Sequence, residues 1–85
     1  MVWRIKFSAG ADKAFGKLDA PLRRRFIHFL ETRVLPDPRR LGKAMRGDAC
    51  GWRYRLGHYR IVCDIEDATK TVYVVRIGHR SSVYD

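Results

Sequence analysis

Apolar and charged positions alternate at the start of the chain, with Trp3, Ile5 and Phe7 set against Arg4 and Lys6. A period of two over residues 2–7 predicts a half-buried strand. The period then lengthens. Ser8 is placed to cap a short helix whose apolar positions Ala11, Ala14, Phe15 and Leu18 fall at helical spacing. Asp19 caps a second helix, where Pro21 is tolerated because the first turn has no intrahelical N–H bond to lose. Leu22, Phe26, Phe29, Leu30 and Val34 form its buried stripe, and Pro36 ends it.

Pro36, Pro38, Gly42, Gly47 and Gly51 break residues 36–51 into a loop, with one short helical turn expected around Leu41–Met45. Strands are expected at 52–56, 58–65 and 71–77, the first two joined by a two-residue Gly57-His58 turn. The chain is expected to turn polar at Gly78, beyond the last strand. The order β-α-α-β-β-β predicts an α+β fold, a small mixed sheet with two helices on one face. Eighty-five residues are too few for a second core, so residues 1–85 form one compact domain.

The other face of the sheet is the functional question. A Gly57-His58 turn sets Leu56 against Tyr59, Arg55 against Arg60 and Arg53 against Val62. Trp52, Tyr54, Leu56, Tyr59, Ile61 and Cys63 then share the core side, and Arg53, Arg55 and Arg60 share the open side. Like charges directly opposite across strands are destabilising, so an anion is expected between Arg55 and Arg60.

The charge distribution agrees. The chain carries 18 Lys and Arg against 9 Asp and Glu, a net charge of +9. Residues 39–60 hold seven of the bases (Arg39, Arg40, Lys43, Arg46, Arg53, Arg55 and Arg60) and one acid, Asp48. The other 63 residues hold eleven bases and eight acids, close to balance. Positive charge is therefore focused on the loop and hairpin, as binding to a phosphate backbone requires, and Arg39, Arg40, Lys43 and Arg46 are the expected nucleic-acid contacts outside the strands. Arg23, Arg24 and Arg25 spread around their helix and read as a solvated face.

Cys50 and Cys63 match neither a disulfide framework nor zinc-ligand spacing, and Cys63 reads as a small buried hydrophobe. The alternating N-terminus does not look like a signal peptide, and no apolar run approaches the ~20 residues that span a bilayer. A cytoplasmic protein with no membrane partner and no metal or other cofactor is expected.

The segments Trp52-Arg53-Tyr54-Arg55-Leu56-Gly57-His58-Tyr59-Arg60-Ile61-Val62, Val75-Arg76-Ile77-Gly78-His79-Arg80 and Val83-Tyr84 resemble the RelE branch of the RelE/ParE toxin superfamily. The order of elements and the length match as well. The resemblance implies a toxin of a type II toxin–antitoxin pair that enters the ribosomal A site and cuts mRNA without a metal, by 2′-hydroxyl attack on the adjacent phosphate. It implies a small cognate antitoxin as partner, with operator DNA reached only through the antitoxin complex. Carried over by position, the catalytic residues are Arg53, Arg55, Arg60, Arg80 and Tyr84. The best-known members carry lysines where this chain has Arg53 and Arg55. A guanidinium stays protonated, so these two are expected to clamp phosphate and not to move protons. His79, beside Arg80, is then the first candidate for acid or base, ahead of His58. A ParE-like toxin acting on gyrase, or a non-catalytic nucleic-acid-binding or co-repressor module, are the competing readings.

Overall fold

The computed structural model describes residues 3–44 and 51–79. Strand β1 (Arg4–Phe7) leads into helices α1 (Ala9–Gly16) and α2 (Ala20–Phe29), and a single π-helical turn (Leu30–Val34) prolongs α2. Strands β2 (Lys43–Ala44), β3 (Gly51–Leu56), β4 (Tyr59–Glu66) and β5 (Thr71–His79) follow. The five strands lie in the order β1-β5-β4-β3-β2, with β1 parallel to β5 and the other pairs antiparallel. This is the expected α+β arrangement with a mixed sheet.

Both helices start where the sequence puts a cap. The Ser8 hydroxyl accepts the Ala11 N–H at 3.1 Å, and the Asp19 carboxylate accepts the Leu22 N–H at 3.0 Å. Each satisfies a backbone donor that the first helical turn leaves without a carbonyl. Ala11, Phe26, Leu30 and Val34 then pack on Tyr54, Ile61, Cys63, Val72, Val74 and Ile77 from one face of the sheet. Burying a side chain of the size of Phe26, Leu30 or Ile61 stabilises the fold by roughly 1.5–3 kcal/mol each. A run of edge and tilted ring contacts, Phe7–Phe15–Phe26–Tyr59, joins the helices to the sheet.

Two features depart from the sequence expectation. No helical turn forms at Leu41; Lys43 and Ala44 instead make a fifth strand, pairing with Arg53 and Trp52. The cause is tertiary. The Trp52 indole N–H donates to the Leu41 carbonyl at 2.8 Å, and the Tyr54 hydroxyl donates to the Pro38 carbonyl. Both bonds draw the loop along β3. Gly42, at φ +77°, lets the chain pass close, since a Cβ there would meet the Arg53 carbonyl oxygen at 2.3 Å.

The second departure is that β5 does not stop at Ile77. It runs on through Gly78 and His79, which pair with Arg60 and Tyr59. The register against β4 skips at Val62/Cys63, leaving Val75 as the extra residue of a β-bulge. Without it, Val72 and Val74 would share a face that Ile77 could not. Ser8 secures the bulge, its N–H donating to the Val74 carbonyl at 2.9 Å and its hydroxyl to the Val75 carbonyl at 3.2 Å.

Candidate nucleic-acid interface

The β3–β4 register is the one the turn predicts: Arg53 opposite Val62, Arg55 opposite Arg60 and Leu56 opposite Tyr59. Gly57 has φ +61°, and Lys70 is the only non-glycine with positive φ among the described residues. A positive φ at the first turn position alone is the type II′ pattern, whose twist matches that of the flanking strands. The turn therefore fixes the register, and the register puts the arginines on one side.

They converge on a cavity of about 600 Å³ lined by Phe29, Arg33, Leu41, Gly42, Lys43, Arg53, Tyr54, Arg55 and Arg60. Five of those nine residues are basic and none is acidic. Arg55 is exposed, whereas its cross-strand partner Arg60 is only 9% exposed. Guanidinium groups suit bidentate contact with phosphate oxygens. The size lies within the ~300–1,000 Å³ typical of ligand sites.

Lys43 reaches this cavity because β2 lays it directly beside Arg53. Arg39 goes elsewhere: its guanidinium makes a bidentate pair with the Asp67 carboxylate at 2.8 and 2.9 Å. That contact holds Asp67 below the usual carboxylate range and raises Arg39 further. Arg40 is exposed in the loop, its backbone N–H bonded to the Asp37 carbonyl, and does not line the cavity. Arg46, Arg80 and Tyr84 lie outside the described residues.

His79 sits on the other side of its strand from the residue facing Arg60. Gly78 is Arg60's partner, while His79 pairs with Tyr59. Its ring meets the Tyr59 ring edge-on at 5.6 Å and stacks on His58 at 6.0 Å. Tyr59 in turn packs on Phe26, so the two histidines extend the aromatic run of the helix-bearing face.

The sequence reading does not single out Arg33, and it places Phe29, Leu41, Gly42 and Tyr54 only in the core or the loop. Phe29 and Arg33 stand four apart, a signal that they share a helix face. The π turn, closed by the Leu35 N–H donating to the Leu30 carbonyl, widens the turn and brings residues four apart more nearly into line. Tyr54 contributes its ring but not a mobile proton. Burial pushes its phenol above the ordinary value, and its hydroxyl is held by the Pro38 carbonyl.

Comparison with known proteins shows which family the chain belongs to. Residues 5–84 match the family model described as "ParE toxin of type II toxin-antitoxin system, parDE". The chain is 28% identical to Toxin RelG of Mycobacterium tuberculosis over 85 residues, covering 99% of this chain and 98% of that protein. It is 30% identical to Toxin RelE of the same organism over 83 residues, covering 96% and 86%. The toxin–antitoxin complex RelBE2 of M. tuberculosis superposes with a TM-score of 0.85 at 27% identity, covering 94% of this chain and all of the matched one. The isolated E. coli RelE toxin superposes with a TM-score of 0.80 at 29% identity, covering 96% and 90%. The chain belongs to the RelE/ParE superfamily of type II toxin–antitoxin toxins.

Proposed function

We propose that this toxin is a ribosome-dependent endoribonuclease of the cytoplasm, cutting mRNA by metal-independent attack of a ribose 2′-hydroxyl on the adjacent phosphate. The observation that carries the reading is Arg55 opposite Arg60 at the wall of a cavity lined by three further bases. Five basic residues and no acidic one among the lining residues make the cavity a site for an anion, and guanidinium groups suit phosphate oxygens. In this reading Arg53, Arg55 and Arg60 clamp the scissile phosphate and the charge that develops on it. Arg80 and Tyr84 complete the site as the family pattern implies, and Arg40 and Arg46 extend the contact to flanking RNA.

A cognate antitoxin is the natural partner. E. coli RelE has been solved in an intact RelBE toxin–antitoxin complex, and an archaeal RelE from Pyrococcus horikoshii in a complex with RelB. An acidic segment with an apolar side would cover the basic cavity here, charge setting the on-rate and buried area the affinity.

The test is primer extension on mRNA translated in a purified system. The toxin is expected to cut mRNA on ribosomes, to leave free RNA largely intact and to be indifferent to chelators that spare the ribosome. Because the matching family model is described as ParE, gyrase supercoiling is the second arm. Gyrase inhibition without mRNA cleavage would replace the present reading. For His79, strand parity favours packing against Tyr59 over proton transfer. His79→Gln is therefore expected to keep the cleavage rate of the parent; a large loss of rate in folded protein would return it to the mechanism.

A further inference from the structure

We infer that Lys43 is the proton donor to the leaving 5′-oxygen, the role that Arg53 and Arg55 cannot fill. This rests on the endoribonuclease reading above. Cleavage by a 2′-hydroxyl forms the 2′-O–P bond and breaks the P–O5′ bond, giving a 2′,3′-cyclic phosphate and a free 5′-hydroxyl. The 2′ proton leaves to water, and the departing 5′-oxygen must gain one.

The described residues around the cavity offer little choice of donor. Arg33, Arg53, Arg55 and Arg60 are guanidinium groups, which bind anions but do not release protons. Tyr54 is held by the Pro38 carbonyl with its phenol pushed up by burial. Lys43 is exposed, lies in register with Arg53 and carries an ammonium with three rotatable N–H donors on a flexible stem.

Its position is built, not incidental. The Trp52–Leu41 and Tyr54–Pro38 hydrogen bonds dock the loop on β3, and Gly42 passes where no Cβ would fit. A strand of two residues thereby delivers one lysine to the rim of a cavity whose four other basic lining residues, among the described ones, are arginines.

The test uses the full-length toxin on ribosomes programmed with short mRNAs, under single-turnover conditions. One mRNA has the natural 5′-oxygen at the scissile phosphate, and the other a bridging 5′-sulfur, which departs without protonation. Lys43→Arg keeps the positive charge but cannot release a proton. It is expected to slow cleavage of the oxygen substrate by at least about a hundredfold, the lower end of general acid catalysis. It should cut the sulfur substrate within a few-fold of the parent and bind an uncleavable 2′-deoxy mRNA equally well. Arg60→Ala should be slow on both substrates. Equal defects of Lys43→Arg on the two substrates, or no defect on oxygen, would overturn the assignment while leaving the toxin a ribonuclease. The sulfur rescue appearing in Tyr84→Phe and not in Lys43→Arg would move the role to the tyrosine. A parent protein that cuts neither mRNA would remove both this proposal and the function it rests on.

Discussion

The two faces of the β3–β4 hairpin come from the same residues and obey opposite rules. On the helix-bearing side Tyr54, Ile61 and Cys63 are at most 1% exposed, and the one buried hydroxyl there, that of Tyr54, has an acceptor. On the other side Arg55 stands opposite Arg60, and Lys43 lies beside Arg53. Apolar packing makes the first face favourable by itself. The second face gathers charge of one sign, which opposes close packing and suits the binding of an anion. Alternation along two strands thus divides packing from charge, and Tyr54 serves both, buried in the core and at the cavity wall.

The largest effect should come from the buried face. Ile61→Ala removes a fully buried side chain beneath the helices and is expected to cost roughly 2–5 kcal/mol in urea denaturation. Where the variant remains folded, its cleavage rate should stay close to that of the parent. A tenfold loss of activity in protein that is still folded would show that the two faces are not separable.

The open face should give the inverse result. Arg55→Ala is expected to lower mRNA cleavage at least tenfold, equivalent to about 1.4 kcal/mol of transition-state stabilisation. The same change relieves a like-charge pair, so stability should rise by roughly 0.2–1 kcal/mol. A variant that melted lower and cut normally would reverse the assignment of the faces. Arg23→Ala should do nothing to the rate, because Arg23 is tied to the Leu18 carbonyl between α1 and α2 and lies outside the cavity.

How far the sequence discloses this design depends on the range of the interactions involved. Caps at Ser8 and Asp19, the helical stripe and the hairpin register are set within a few residues, and all appear where the pattern puts them. Strand β2 is set by Trp52 and Tyr54, 11 and 16 residues away from the carbonyls they bind. No local period encodes that. The bulge at Val75 is similar: it changes which side the end of β5 presents, and so it moves His79 to the Tyr59 side. Arg39 looked like part of the basic cluster because charge was counted along the chain, while its actual partner, Asp67, is 28 positions away. Residue types in the site were legible; which of them meet was legible only where a tight turn dictated it.

A smaller effect tests how dry the buried face is. Burial raises the Cys63 thiol to about 12, from an ordinary 9.0. Alkylation of Cys63, followed by peptide mass mapping, should therefore be slow in the native protein and fast in denaturant. The sign for stability follows. The thiol's contribution is complete below the unfolded value near 9 and is lost as pH rises above it, because only the unfolded chain then ionises freely. Rapid native labelling of this cysteine would mean that the helix-bearing face opens to solvent.

The smallest expected effect separates Arg39 from the basic face altogether. Asp67 is held below its usual range chiefly by the hydrogen bond from Arg39, with charge attraction from Arg39 and Lys70 adding to it. A carboxylate depressed in the folded state contributes stability above its unfolded value and loses it as pH falls through the folded one. Stability of the parent should therefore decline slightly more than that of Asp67→Asn as the solution is acidified below the ordinary Asp range. Both partners are solvent-exposed, and salt screens such a pair, so the difference should shrink at high ionic strength. Arg39→Ala should abolish the same difference and leave mRNA cleavage unchanged, because its guanidinium is already committed to a carboxylate. A clear loss of cleavage in Arg39→Ala would show that the ion pair opens to RNA, and that the basic face reaches further along the loop than the cavity does.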